Sequence, residues 1–170
     1  MSPFLRNLLI LGAVALGIED EQALEASLAG MATLSTEGYS VERMAPVAEG
    51  AELIAGCIRD PPFGPVVLVG LGGIYAELLD DTAVALAPVD AAQAEELLRS
   101  LRGAAILAGA RGRPPLDVRA AAESIAALSR LAASRPDLAE IEINPLLVTP
   151  SGALALDARA LSVENGADAR

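Results

Sequence analysis

The stretch Glu140 to Arg159, EIEINPLLVTPSGALALDAR, constrains the fold more than any other part of the chain. Glu140, Ile141, Glu142, Ile143 and Asn144 alternate in polarity. Such alternation puts the two Glu and the Asn on one face of a strand and the two Ile on the other. Pro150, Ser151 and Gly152 are turn residues, so the pattern predicts two antiparallel strands joined by a tight turn. With the turn centred on Pro150 and Ser151, Asn144 stands opposite Asp157, and Glu142 opposite Arg159. Side chains directly opposite in such a pair have Cβ atoms roughly 4.5–5.5 Å apart. The hairpin would thus gather Asn144, Asp157 and Glu142 into a set of hard oxygen donors of the kind Mg²⁺ accepts. A one-residue change in turn length would send Asp157 to the other face. The same residues equally describe a solvated hairpin face with a plain Glu142–Arg159 cross-strand pair.

A hairpin of this kind needs a core to rest on. The 170 residues suit one domain, and a chain of this size buries roughly 70% of its unfolded surface. Hydrophobic residues make up 53% but aromatics only 2%, so the core must be built from Ala, Leu, Val and Ile. Closely packed α/β layers suit such a composition. The net charge of −11 would be repelled by a phosphate backbone, which argues against a nucleic-acid partner. The single cysteine, Cys57, excludes an internal disulfide and, set in an apolar run, reads as a buried thiol in a reducing compartment. There is no histidine, so any phosphohistidine or zinc site must come from another chain or domain.

The opening, MSPFLRNLLILGAVALG, imitates a signal peptide. Its apolar run is too short for a transmembrane helix, which needs about 20 apolar residues, and no membrane association is expected. The preferred reading is a cytoplasmic protein in which this segment packs on the core, as a strand through Val14 and Leu16. A cleaved signal is the alternative.

Further along, Asp20 can cap a helix running to about Thr33. Gly38 to Ala45 reads as a strand, and Glu52 to Arg59 as a second, antiparallel to it. Asp60 to Pro65 carries three prolines and is expected to be irregular. Val66 to Val69 is an apolar strand. A glycine stretch, Gly70 to Gly73, follows it, then Ile74 to Leu79 and an acidic turn at Asp80 and Asp81. Ala83 to Ala87 is another strand. Asp90 and Asp117 each begin a helix, the first to about Leu101 and ended by Gly103, the second to about Ser134. Consecutive strands with short links point to an antiparallel or mixed sheet with packed helices.

Three smaller features carry candidate chemistry. Gly72 and Gly73 could let backbone N–H groups approach a phosphate, with Glu77 facing a metal or phosphate. The spacing matches neither the dinucleotide fingerprint nor the P-loop, and a tight turn explains the glycines as well. Arg111 and Arg113, in GARGRPP, could grip an anion or simply flank a helix. The strand end at Glu42, Arg43 and Met44 could hydrogen-bond an adenine edge while Met44 packs on its face, or be ordinary strand.

In order, VERMAPVAEGAELIAG, RDPPFGPVVLVGLGGIYAELLDD, LAPVDAAQAEELLRSLRG, GARGRPPLD and EIEINPLLVTPSGALALDAR together resemble the ATP-grasp domain of ADP-forming acyl-CoA synthetases. These are the acetate–CoA ligase relatives of succinyl-CoA synthetase. The resemblance covers about Gly12 to Arg159. It implies an α/β fold that holds ATP or ADP with Mg²⁺ between two subdomains. It implies Mg²⁺ ligation at Asn144 and Asp157 with Glu142 close by. Glu42 to Met44 would lie against adenine, Gly72, Gly73 and Glu77 toward the phosphates, and Glu52 at a polar position of the nucleotide cleft. No catalytic residue is assigned.

The family carries a His-Lys-Ser/Thr-Asp/Glu run before a Gly-Gly-Val. Here the matching run is Asn7-Leu8-Leu9-Ile10, with Leu8 at the lysine position. The earlier lysine-bearing lobe has no counterpart either. Residues 1–161 are therefore expected to form a partial, C-terminal ATP-grasp domain and 162–170 a polar tail. The expected partners are that missing lobe and a CoA-binding ligase domain or subunit bearing the phosphohistidine, with the oligomeric state open. The expected activity is nucleotide and Mg²⁺ binding for an ADP-forming ligase, or else a non-catalytic assembly module on the same fold.

Overall fold

The computed structural model describes residues 12–34, 37–73, 81–109 and 112–163. The chain divides into two units, Met1–Ala45 and Pro46–Arg170.

In the first unit, α1 spans Glu21–Met31. It starts as expected: Asp20 is extended, and its carboxylate accepts from the Ala23 N–H at 2.7 Å. Two expected strands do not form. Residues 13–19 are irregular, bracketed by Gly12 and Gly17 at φ of 69° and 70°, and Leu16 is exposed rather than packed in a core. Residues 38–46 carry no strand either, and Val41 and Met44 are exposed. A strand exists only through a ladder with a neighbour, and none of the described strands pairs with this segment. The antiparallel partners of the next strand are therefore other elements.

The second unit is a sheet with helices on one face. Its strands are β1 (Ala51–Asp60), β2 (Gly64–Leu71), β3 (Thr82–Leu86), β4 (Leu138–Thr149), β5 (Gly152–Ala155) and β6 (Ala158–Ser162). The order is β3-β2-β1-β4-β5, with β6 also pairing β4, and every pairing is antiparallel. The alternation of β1 explains the layering. Ala51, Leu53, Ala55 and Cys57 are buried, and they join Val67, Val69, Leu71, Leu146 and Val148 in one core. α2 (Ala91–Ser100) and α4 (Val118–Ser134) close that core with Ala94, Leu98, Ala121, Ala122 and Ile125. Among the described residues no aromatic side chain contributes to it. Burial pushes the Cys57 thiol up to about 11, so it is inert.

Both helices begin at the expected aspartates. Asp90 makes a full capping box with Gln93, and Asp117 accepts from the Ala120 N–H at 3.0 Å. Between them lies α3 (Ala104–Leu107), which the sequence pattern did not reveal. The prolines from Asp60 to Pro65 interrupt the sheet less than expected. Asp60 pairs with Gly64 and Arg59 with Pro65, leaving only residues 61–63 as the turn. Pro65 lacks an N–H but keeps its carbonyl, which accepts from Ala87 at 2.9 Å. Gly70 and Leu71 belong to β2 rather than to a glycine loop.

Asp81, which the sequence places in an acidic turn, is buried. Its two carboxylate oxygens accept from the backbone N–H groups of Arg102 (2.9 Å) and Gly103 (2.8 Å). The Gly103 bond leads in holding its carboxyl below the ordinary value. Residues 74–80, and with them the expected Ile74–Leu79 segment and Asp80, lie outside the described residues, as do residues 164–170 of the expected tail. Among the described residues no helix is long and apolar enough to cross a membrane.

Candidate functional site

The hairpin folds in the register that the turn residues dictate. Thr149 pairs with Gly152, Val148 with Ala153 and Leu146 with Ala155 across the Pro150–Ser151 turn. The Thr149 hydroxyl lies within hydrogen-bond distance of the Ser151 hydroxyl (3.1 Å) and the Gly152 carbonyl (3.3 Å), tightening that turn. Between β5 and β6 the register continues. Leu156 N–H donates to the Pro145 carbonyl, and Asn144 N–H to the Asp157 carbonyl, each at 3.0 Å. Beyond it Ile143 pairs with Ala158 and Glu142 with Arg159. Asn144 and Asp157 are therefore backbone neighbours across the hairpin, between the last β4–β5 pair and the first β4–β6 pair.

Glu140, Glu142 and Arg159 lie on the sheet face turned away from the helices. The ladder lines up Leu86, Val66, Ile58, Glu140 and Leu161 in one row, and Val84, Leu68, Gly56, Glu142 and Arg159 in the next. The face is thus apolar on its β3 side, where Val84 and Leu86 are exposed, and charged on its β6 side. The Arg159 guanidinium lies 2.6 Å from Glu140 and 3.3 Å from Glu142. Alternation foresaw the second pair. The first was missed, although Glu140 is simply the same-face neighbour of Glu142 two residues back.

A second group forms where β1 meets the end of β2. The Gly72 N–H donates to the Glu52 carbonyl at 2.7 Å. A Cβ on Gly73, which has a φ of 60°, would lie 2.9 Å from Glu52 Oε2. The positive φ favours glycine at 73, and a Cβ on Gly72 would lie 3.1 Å from the Glu52 backbone carbonyl, which gives these two glycines a reason that the sequence pattern left open. Arg113 uses one guanidinium N–H on the Ala48 carbonyl at 2.7 Å.

In the first unit Glu42, Arg43 and Met44 line an open cleft of about 1120 Å³, together with Leu28, Met31 and Tyr39. Ser40 donates to Glu42 at 3.0 Å, and the Tyr39 hydroxyl to the Met31 carbonyl at 3.1 Å. Glu77 and Arg111 lie outside the described residues, as does the run from Asn7 to Ile10. Among the described residues, no group of three or more His, Cys, Asp or Glu side chains is placed to hold a metal. The hairpin's candidate donor set is one carboxylate, Asp157, one amide, Asn144, and Glu142, which is already engaged by Arg159.

Residues 2–161 match the model of a family described as an ATP-grasp domain. Over 122 residues the chain is 43% identical to the acetate–CoA ligase [ADP-forming] I subunit beta of Pyrococcus furiosus, a match covering 72% of this chain and 52% of that one. It is 39% identical over 123 residues to the acetate–CoA ligase [ADP-forming] I of Archaeoglobus fulgidus, covering 72% of this chain and 18% of that one. The chain thus spans about half the length of the first relative and far less of the second. Among solved structures, it superposes with a TM-score of 0.83 and 30% identity on the dinucleotide-forming acetyl-coenzyme A synthetase 1 of Ca. Korarchaeum cryptofilum, solved with coenzyme A and Mg-AMPPCP. That superposition covers 96% of this chain and 74% of the other.

Proposed function

The chain belongs to the ATP-grasp domain family of the ADP-forming acetate–CoA ligases, and from that premise we propose that it is the ATP/ADP- and Mg²⁺-binding portion of an ADP-forming acyl-CoA ligase. The whole enzyme would carry out acyl-CoA + ADP + phosphate ⇌ carboxylic acid + CoA + ATP. This chain has no histidine, so the phosphohistidine that relays the phosphoryl group would belong to a CoA-binding partner domain or subunit. The name of one relative, a beta subunit, supports such a partner. A cytoplasmic setting follows from the same reading.

The observation that carries the proposal is the hairpin register that makes Asn144 and Asp157 backbone neighbours across the hairpin. Their donors are hard oxygens, one charged and one neutral, and that set fits Mg²⁺, which keeps several waters and takes the rest of its ligands from phosphates. Asn144 and Asp157 would hold the ion, with Glu142 next to them. When bound, the ion supplies countercharge to the nucleotide phosphates. Glu52, Gly72 and Gly73 would form the floor under the phosphates. Glu42, Arg43 and Met44 would supply the adenine edge, and Glu77, Arg111 and Arg113 further polar contacts.

Leu8, where the family resemblance implies a lysine, favours a second reading: a non-catalytic module that kept the fold. Titration calorimetry with ADP, with and without Mg²⁺, decides between them. The first reading expects weak, strictly Mg²⁺-dependent binding that Asp157→Ala abolishes and that a lysine-bearing partner lobe tightens. Binding that ignores Mg²⁺ or Asp157→Ala would place the site elsewhere. Absence of binding even with that lobe supports the second reading.

A further inference from the structure

The Gly72–Gly73 corner lies against Glu52 on one side, and the residue before it is held just as closely on the other. Leu71 ends β2 and is only 2% exposed. Its side chain meets Gly103, where a Cβ would overlap Leu71 Cδ1. A leucine packed this tightly has little room to yield. Gly103 is fixed in turn by Asp81. The Gly103 N–H donates to Asp81 Oδ2 at 2.8 Å, and the Arg102 N–H to Oδ1 at 2.9 Å. Hydrogen bonds to an ionised carboxylate are the strong ones. Asp81 directly precedes β3, whose first residue, Thr82, pairs with Gly70 of β2. One carboxylate thus ties the link between α2 and α3 to the end of the strand that delivers Gly72 and Gly73. Asp81 is itself buried, so it acts on that corner only through its neighbours.

We propose that Asp81 is a positioning residue, which through Gly103 and Leu71 sets the placement of Gly73 against Glu52 and with it the affinity for the phosphates of a nucleoside diphosphate. The inference rests on the functional reading above, in which Glu52, Gly72 and Gly73 lie under the phosphates, and adds the residue that holds them there. The Gly72 N–H is already committed to the Glu52 carbonyl at 2.7 Å. What the corner presents to a phosphate therefore depends on how the backbone from Leu71 to Gly73 is held, not on a free donor at Gly72.

The test is a pair of titrations of the full, ¹⁵N-labelled chain, one with Mg²⁺–ADP and one with adenosine, followed amide by amide by NMR. In the unaltered chain the Gly73 amide is expected to shift with Mg²⁺–ADP and not with adenosine. Asp81→Asn should weaken ADP binding roughly 5- to 10-fold, the scale of one displaced buried hydrogen bond, and leave adenosine within about twofold. Gly103→Ala keeps the carboxylate but presses on Leu71, so it should give the same selective loss, and it decides the matter if Asp81→Asn does not fold. Ser129→Ala is the control for destabilisation alone, because it removes a buried hydrogen bond to Val89 instead, and it should leave both affinities unchanged. The inference is overturned if Asp81→Asn lowers both affinities equally or neither, if Gly103→Ala leaves ADP binding intact, or if Ser129→Ala produces the same selective loss. Failure of the functional reading shows separately, in the unaltered chain, as a Gly73 amide that does not respond to Mg²⁺–ADP.

Discussion

Asp81 shows how one side chain can hold a corner of the fold. It stands at the foot of β3 and satisfies the backbone N–H groups of Arg102 and Gly103 just past the end of α2. Those groups would otherwise be left without partners near the buried Leu71 and Leu101, and an unsatisfied buried donor is costly. Asp81→Asn keeps the shape but replaces one acceptor oxygen by an amide N–H facing a donor, so it is expected to lower the urea midpoint at neutral pH. The pH dependence has a definite sign. The folded-state pKa of Asp81 is depressed below its ordinary 3.8, with the Gly103 N–H as the leading cause. Its contribution is therefore complete above that ordinary value and is lost as pH falls through the depressed one. Urea titrations down the pH scale should show the gap between the two proteins closing only in that acid range, and a gap that closes near neutrality would contradict the assignment. The burial of Asp81 was not legible because its partners lie 21 and 22 residues away and its hydrogen bonds go to backbone N–H groups, which leave no pattern in side-chain identity, with the Arg102 guanidinium 3.7 Å off.

At the scale of elements, the helix caps and the hairpin turn, which act within a few residues, were legible, although the short α3 was not, and what depends on a distant partner was missed. The three long helices could be placed from Asp20, Asp90 and Asp117, because a cap acts on an N–H three residues ahead. The hairpin register, and with it the pairing of Asn144 with Asp157, followed from the Pro150–Ser151 turn, which is equally local. By contrast, Val14–Leu16 and Gly38–Ala45 have strand-like composition but no neighbour to pair with among the described strands. Pro65 looked like a breaker, yet its ladder position calls only on its carbonyl. The docking of α4 was invisible for the same reason. The Ser129 hydroxyl accepts from the Val89 N–H at 3.1 Å, and its one proton is shared between the carbonyls of Ala126 (2.9 Å) and Val89 (3.1 Å), in a fully buried setting just ahead of α2. Ser129→Ala strips both Val89 groups of this partner and should cost about 1–3 kcal/mol in urea unfolding, with an unchanged m-value. A loss below about 0.5 kcal/mol would mean that Val89 finds other partners.

Over the whole molecule, burial is distributed very unevenly between the two units. Among the described residues, all of the fully buried side chains, Leu53, Leu98, Ile125, Leu146 and Leu147 among them, belong to Pro46–Arg170. None of the described residues of Met1–Ala45 is buried, and α1 has no buried residue in its 11 positions. An isolated helix of that length is marginal in water, since propagation barely repays nucleation below about 12–15 residues. Local opening free energy follows buried apolar contact, so the two units should differ widely in protection. Native-state hydrogen exchange is expected to find the slowest amides in β1, β2 and β4, at positions such as Ala55, Val67, Val69 and Val148, exchanging only through global unfolding. The α1 amides from Leu24 to Met31 should exchange orders of magnitude faster, through local fraying that urea barely affects because little surface is exposed in opening. If α1 instead exchanged as slowly as β2 and with the same urea dependence, the two units would unfold as one. The cleft lined by Glu42, Arg43 and Met44 belongs to the less buried unit. A nucleotide bound there would have to supply the free energy of ordering it, which is consistent with the weak binding expected of this chain by itself.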